Sequence, residues 1–146
     1  MSGTVHASVA LVGERGVLIR GASGSGKSSL LLALMSSANA MLVADDRAHL
    51  RAEQGRVIAH VPDAIAGLME IRGVGIVRRT YTASAAIDLV VDLLPLAKCP
   101  RLPGADEARA MLEGIAVPRI FIAIGAHDGV ARVTAALARS ETGIPA

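Results

Sequence analysis

"VLIRGASGSGKSSLLLALMSS", residues 17–37, sets the reading of this chain. An apolar strand runs into a glycine-rich loop, and the loop runs into an apolar helix. Gly21, Gly26, Lys27 and Ser28 satisfy G-x-x-x-x-G-K-[ST]. Glycine tolerates backbone angles that other residues avoid. The N–H groups of Gly21, Ala22, Ser23, Gly24, Ser25, Gly26 and Lys27 can therefore turn inward around phosphate oxygens. The start of the helix adds partial positive charge. In such a loop the lysine, here Lys27, reaches the β- and γ-phosphates, and the hydroxyl, here Ser28, ligates Mg²⁺. ATP and Mg²⁺ are the expected ligands. The competing reading is an accidental glycine-rich turn; the strand before and the helix after weigh against it.

The next strand, "AMLVA", ends in Asp45 and Asp46. In many P-loop enzymes one aspartate at a strand end helps to hold Mg²⁺. A single helix separates this strand from the loop. A right-handed crossover predicts that it runs parallel to the P-loop strand and beside it. Both carboxylates would then lie near the γ-phosphate, one serving the metal and the other a base toward an attacking hydroxyl. The competing reading makes one of them a turn cap.

The whole chain has 146 residues, which predicts one domain over 1–146 with a real core. Hydrophobic residues make up 52% and charged residues 19%, so the chain folds and is not disordered. Aromatics are 1%, which makes the core aliphatic and leaves no stacking platform for nucleic acid; the net charge of +2 adds little pull. Cys99 is the single cysteine, which excludes an intrachain disulfide and a multi-cysteine zinc site. "IDLVVDLLPLA" is interrupted by Asp92 and Pro95 and does not read as a membrane span. Glu14 and Arg15 break the N-terminal apolar stretch, so it does not read as a signal peptide. The cytoplasm is the expected compartment.

"TVHASVALV" reads as one strand and hairpins with "VLIR" across "GERG". "AHLRAE" and "RVIAHV" form a second hairpin around Gln54-Gly55, with His49 and His60 facing each other. "EIRGVGIVRR" is glycine-spaced and reads as loop and strand, "AAIDLVVDLL" as a strong strand, and "KCPRLPGAD" as a loop. "RAMLEGI" fits helix or strand equally. "RIFIAI" is a strand, and "GVARVTAALARS" a closing helix with Asp128 as its N-cap. Many strands and few helices predict a mixed α/β sheet. Glu70 and Arg72, with Gly73 and Gly75 after them, mark a loop that something approaches closely; alone, a surface Glu-Arg pair reads as well. His6 alone is a strand histidine.

Together these residues resemble the catalytic domain of HPr kinase/phosphorylase, which acts on a serine of the phosphocarrier protein HPr. The resemblance rests on His6, the P-loop from Gly21 to Ser28, "LVADD", "EIRGVGI" and, less closely, "PRLP" at 100–103. It implies a P-loop-containing mixed sheet of the HPr kinase / phosphoenolpyruvate carboxykinase-like nucleotide-binding fold, in a form without the family's usual N-terminal domain. It implies that the loop to Lys27 binds nucleotide phosphates, that Ser28 and Glu70 help to coordinate Mg²⁺, and that Asp45 is the general base. His6 and Asp46 would assist at the phosphate site, and Arg101 would stabilise the transferring phosphoryl group. The implied partner is an HPr-like phosphocarrier, with no nucleic acid and no membrane; the family is hexameric, so a homo-oligomer is the matching expectation. One departure stands out. Where relatives carry a loop of the form PxxPGRN, associated with phosphorolysis, this chain has "IAIGAHDGV". The leading expectation is an ATP-dependent protein-serine kinase, with phosphorolysis of phosphoserine-HPr as a second activity. The alternatives are a small-molecule kinase or carboxykinase relative, and a non-catalytic ATP sensor.

Overall fold

In the computed structural model, which describes residues 3–142, the expected first strand is split at His6 into β1 (Gly3–Val5) and β2 (Ala7–Val12). β2 hairpins with β3 (Arg15–Gly21), Val12 opposite Arg15. The turn narrows to Gly13-Glu14. Its first residue lies at φ 62°, the type II′ requirement that glycine meets without strain. Next comes α1 (Lys27–Ser37), as the loop-to-helix pattern predicts. Leu30, Leu31 and Leu34 are buried, while Leu32 and Met35 are partly covered. Asn39, left-handed at φ 53°, turns the chain out of the helix.

β4 (Met41–Ala44) then enters the sheet, but not beside β3. It pairs antiparallel with β2, which pairs antiparallel with β3. The expected parallel direction holds; the expected adjacency does not. Because β2 folds back onto β3 locally, it takes the neighbouring slot before the crossover returns.

β5 (Ala48–Glu53) and β6 (Arg56–His60) form the second hairpin, with His49 opposite His60. Gln54 and Gly55 are both at positive φ, a type I′ turn. β7 (Leu68–Ile71) and β8 (Gly75–Arg78) make a separate two-stranded hairpin. β9 (Ser84–Leu94), β10 (Arg109–Leu112) and β11 (Ile115–Ala123) complete the strands. The ambiguous "RAMLEGI" is therefore a strand followed by a type I′ turn at Glu113-Gly114. α2 (Gly129–Thr142) closes the described chain. The main sheet is nine-stranded, in the order β1-β5-β6-β9-β3-β2-β4, with β11 also on β9 and β10 on β11. Among the described residues no helix is long and apolar enough to cross a membrane.

β9 is the spine. It pairs antiparallel with β6 and parallel with both β3 and β11. A bulge at Asp88 shifts its register against β3, where Gly16 faces Ile87 and Val17 faces Leu89. The extra residue also changes which face the side chains take. Ala85 and Ile87 join the core under β5, β6 and β10, whereas Leu89, Val91 and Leu93 join the core under the two helices. Asp88 accepts the Gly16 N–H at 3.1 Å and an Arg56 N–H at 2.8 Å, which satisfies the irregularity. At the other end of the spine Arg20 grips Asp92 with two bonds of 2.8 and 2.9 Å, and Arg119 adds a third at 3.3 Å. These pairs tie β3, β9 and β11 together just before β3 enters the P-loop.

The bulge leaves no room at Gly16: a Cβ there would stand 2.1 Å from the carbonyl oxygen of Ala86. Gly16→Ala is expected to destabilise the fold by about 1–3 kcal/mol through overpacking. This lowers the thermal midpoint by roughly 3–10 °C. Circular dichroism melting checks it, and an unchanged midpoint would contradict the close approach.

Candidate active site

The site forms where β3 and β4 end. Gly24 and Gly26 take left-handed angles of 81° and 103°, which only glycine adopts without strain. Gly21 has a different reason to be glycine: a Cβ would stand 2.3 Å from the Ser25 hydroxyl oxygen. Ser25 is buried behind the loop, and its hydroxyl has no partner among the described residues. Gly26 caps α1 without a side-chain hydrogen bond, so the first amides of the helix keep their donors for an incoming anion. Lys27, 6% exposed, donates to the carbonyls of Gly21 at 3.1 Å and Ala22 at 3.3 Å. Neither acceptor carries a full charge. Among the described residues no carboxylate pairs with this ammonium, and an anionic phosphate chain would supply that partner.

Asp45 follows β4 directly and is 7% exposed. Its Oδ1 accepts the hydroxyls of Ser28 at 2.6 Å and Ser8 at 3.0 Å. Its Oδ2 accepts the backbone N–H of Glu70 at 3.2 Å. Three elements, β2, α1 and β7, thus converge on one carboxylate. None of these three donors belongs to the turn that Asp45 itself opens.

Asp46 goes the other way. Its backbone is left-handed at φ 73°, which turns its carboxylate out of the interior. There the His6 Nε2–H donates to Asp46 Oδ1. The Asp46 N–H donates to Ser8 Oγ at 3.0 Å. Ser8 is therefore bonded to both aspartates at once, from a side chain with no exposure. Sequence reading missed Ser8. Its one signal is a lone hydroxyl residue inside the apolar run of β2.

The β7–β8 hairpin covers the other side. Glu70 is exposed, and among the described residues its carboxylate has no partner. Gly73 and Gly75, at φ 84° and 117°, make the turn that carries Arg72 at its start. The cavity enclosed is about 790 Å³. His6, Ser23, Gly24, Gly26, Lys27, Ser28, Asp45, Asp46, Glu70 and Arg72 line it. Arg101 does not; it is exposed on the connection between β9 and β10. His127 and Asp128 also stand outside, and the Asp128 carboxylate takes the Arg132 guanidinium at 2.9 Å. A second groove, of about 490 Å³, lies at the far end of β3, where Arg56 and Asp88 already pair with each other.

The residues fit a magnesium nucleotide. Ser28 gives its proton to Asp45, which leaves hydroxyl lone pairs for a metal, and the free Glu70 carboxylate lines the same cavity. Among the described residues no group of three or more His, Cys, Asp or Glu could hold a metal alone. Mg²⁺ commonly takes one or two protein ligands and fills the rest with water and substrate phosphates.

Residues 1–142 match the family model of the HPr Serine kinase C-terminal domain. The HPr kinase/phosphorylase of Bordetella pertussis is 34% identical, aligned over 94% of this chain and 47% of its own length. That of Geobacillus thermodenitrificans is 36% identical over 82% of this chain and 42% of its own. This chain thus spans about half the length of the curated relatives it matches. The solved structure of the Hpr(Ser) kinase/phosphatase from Coxiella burnetii superposes with a TM-score of 0.79 at 27% identity, covering 96% of this chain and 90% of that one. The mixed sheet with its P-loop is the fold that the motifs predicted, and with a match running from residue 1 to residue 142 the chain belongs to the HPr serine kinase C-terminal domain family.

Proposed function

We propose that this chain is an ATP-dependent protein-serine kinase acting on an HPr-like phosphocarrier, with phosphorolysis of the phosphoserine by inorganic phosphate as a second activity. The observation that carries the reading is the convergence of Ser28, Ser8 and the Glu70 amide on Asp45 inside the P-loop cavity. A sensor that only binds ATP needs no general base, whereas Asp45 lines the cavity with one acceptor position left unfilled by its three donors.

The proposed roles follow from what each group can reach. The loop amides and the start of α1 cradle the phosphates. Lys27 leaves the Gly21 and Ala22 carbonyls for the phosphate chain, exchanging neutral acceptors for charged ones. Ser28 and Glu70 would hold Mg²⁺. When bound, the ion neutralises charge on the phosphoryl oxygens. Asp45 carries about four acceptor positions, and three are filled by the donors above. The remaining one, on Oδ2, is free to accept the proton of the substrate serine. The serine oxygen then bonds to the γ-phosphorus, the bond to ADP breaks, and the proton stays on Asp45. In phosphorolysis, a separate reaction from the reversal of transfer from ATP, hydrogenphosphate attacks the phosphoserine phosphorus, its proton passes by way of Asp45 to the leaving serine oxygen, and pyrophosphate departs. His6 and Asp46 are proposed to orient the phosphoryl group from the exposed side. Arg101 stands outside the cavity, so its proposed contribution requires the β9–β10 connection to move inward. Arg72, Gly73 and Gly75 are proposed to shape the hairpin that covers the phosphates. A cytoplasmic location and assembly into a homo-oligomer complete the proposal, supported by the family resemblance.

Two variants test these roles. Lys27→Ala removes the mobile cation. ATP affinity should fall about tenfold to a hundredfold, the size of a lost charge-assisted bond, with transfer to an HPr-like protein lost alongside. Isothermal titration checks the first, and unchanged affinity would contradict the phosphate cradle. Asp45→Asn should keep ATP binding and lose transfer by ~10²–10⁴-fold, since an amide accepts no proton. It should also loosen the β7–β8 hairpin, because an amide placed with its nitrogen at Oδ2 presents a donor to the Glu70 N–H. Rate assays on Asp45→Asn and Asp46→Asn side by side decide between the neighbours: full activity of the first with loss in the second would move the base to Asp46.

A further inference from the structure

The β7–β8 hairpin carries Glu70 and Arg72, yet it is not a strand pair of the main sheet. An isolated two-stranded hairpin is marginal in water. Something must set its position over the P-loop. On the inner side Met69 is buried in the core under the helices, and the Glu70 N–H bonds to Asp45. At the open end three contacts meet. The Arg79 N–H donates to the Gly67 carbonyl at 2.7 Å. Gly67 lies at φ 76°, and a Cβ there would be 3.0 Å from Cδ1 of Tyr81 and 3.2 Å from the Arg79 carbonyl. The tyrosine ring therefore rests on the bare α-carbon of Gly67. Tyr81 also bridges in parallel to Leu42, and the Thr82 N–H donates to the Leu42 carbonyl at 2.9 Å. Leu42 belongs to β4, the strand that runs into Asp45.

From this geometry we infer that Tyr81 is a positioning residue, which latches the β7–β8 hairpin to β4 and so sets Glu70 in register with Asp45 and Ser28. Tyr81 is 43% exposed. Core formation alone does not call for it, whereas a latch between two elements does. Its hydroxyl has no partner among the described residues, so the apolar ring body does the holding. Without the ring, the buried Met69 and the Glu70–Asp45 bond still anchor the inner side, but at the open end only the backbone bonds Gly67–Arg79 and Leu42–Thr82 remain. The Glu70 carboxylate then samples positions away from the proposed metal site. The Gly67 site explains itself in the same way: any side chain there would push the ring off.

The inference rests on the proposed function for its kinetic readout but not for its structural one. The test compares Tyr81→Ala, Tyr81→Phe and the unaltered chain by amide hydrogen exchange and by phosphotransfer from ATP to an HPr-like protein. In Tyr81→Ala the Glu70 and Arg79 amides should exchange at least tenfold faster, while those of Val90 and Val91 in β9 keep their rates. The kcat should fall at least tenfold, with ATP affinity within twofold of the unaltered chain, because the P-loop is untouched. Tyr81→Phe should match the unaltered chain in every measurement. Unchanged Glu70 exchange in Tyr81→Ala would overturn the latch, as would equal acceleration in β9, or failure of Tyr81→Phe to restore it. If the unaltered chain phosphorylates no HPr-like protein, the proposed function fails, and the exchange comparison still decides the latch.

Discussion

One buried carboxylate organises this protein. Asp45 accepts from Ser8 on β2, Ser28 on α1 and Glu70 on β7, three elements with no continuous backbone ladder between them. A carboxylate moved out of water without partners is strongly unfavourable. Hydrogen bonds to a charged group contribute about 1.5–3 kcal/mol each, so the three donors offset that penalty only when all three elements are in place. The constraint works in both directions. The fold keeps the carboxylate buried, and the carboxylate holds the P-loop helix, the inserted strand and the covering hairpin in register.

The sheet is built to present that junction. β9 couples the antiparallel hairpins to the P-loop strand, and its bulge at Asp88 swaps the parity of its faces, so that Ala85 and Ile87 before it share a core with Val90 after it, while Leu89, Val91 and Leu93 face the other core. The Arg20–Asp92–Arg119 cluster clamps the end of the spine where β3 becomes the loop. The cavity opens at the carboxyl ends of β3 and β4, the usual place for ligands in α/β sheets. The two aspartates diverge there because Asp46 adopts a left-handed backbone: Asp45 turns inward to its donors and Asp46 outward to His6. Neighbours in sequence thus acquire separate environments, which is how two equal side chains can hold unequal roles.

Much of this was legible in the residues. The P-loop, the extent of α1, both flanking hairpins and the pairing of His49 with His60 follow from local patterns: glycine positions, turn chemistry and apolar runs. Features that depend on long-range pairing were not. β4 was expected beside β3, but β2 fills that slot, and a crossover rule applied to the helix alone does not see an earlier hairpin. The break at His6 was hidden inside an apolar strand pattern, since only the partner of β1, the distant β5, reveals it. Asp88 reads as an ordinary strand residue, and its bulge emerges only from pairing with Gly16. Ser8 was overlooked because a small hydroxyl in a strand carries no motif; its weight comes from two aspartates brought to it from nearly forty residues away. Arg101 was placed by resemblance, and lies on an exposed connection outside the cavity.

The most direct measurement is to incubate the purified chain with Mg²⁺, γ-labelled ATP and a purified HPr-like carrier, and to map the label by mass spectrometry. The account predicts label on a single serine of the carrier, lost when the metal is chelated. A carrier left unlabelled while ATP binding is demonstrated in the same sample, or label found on a residue other than serine, would contradict it.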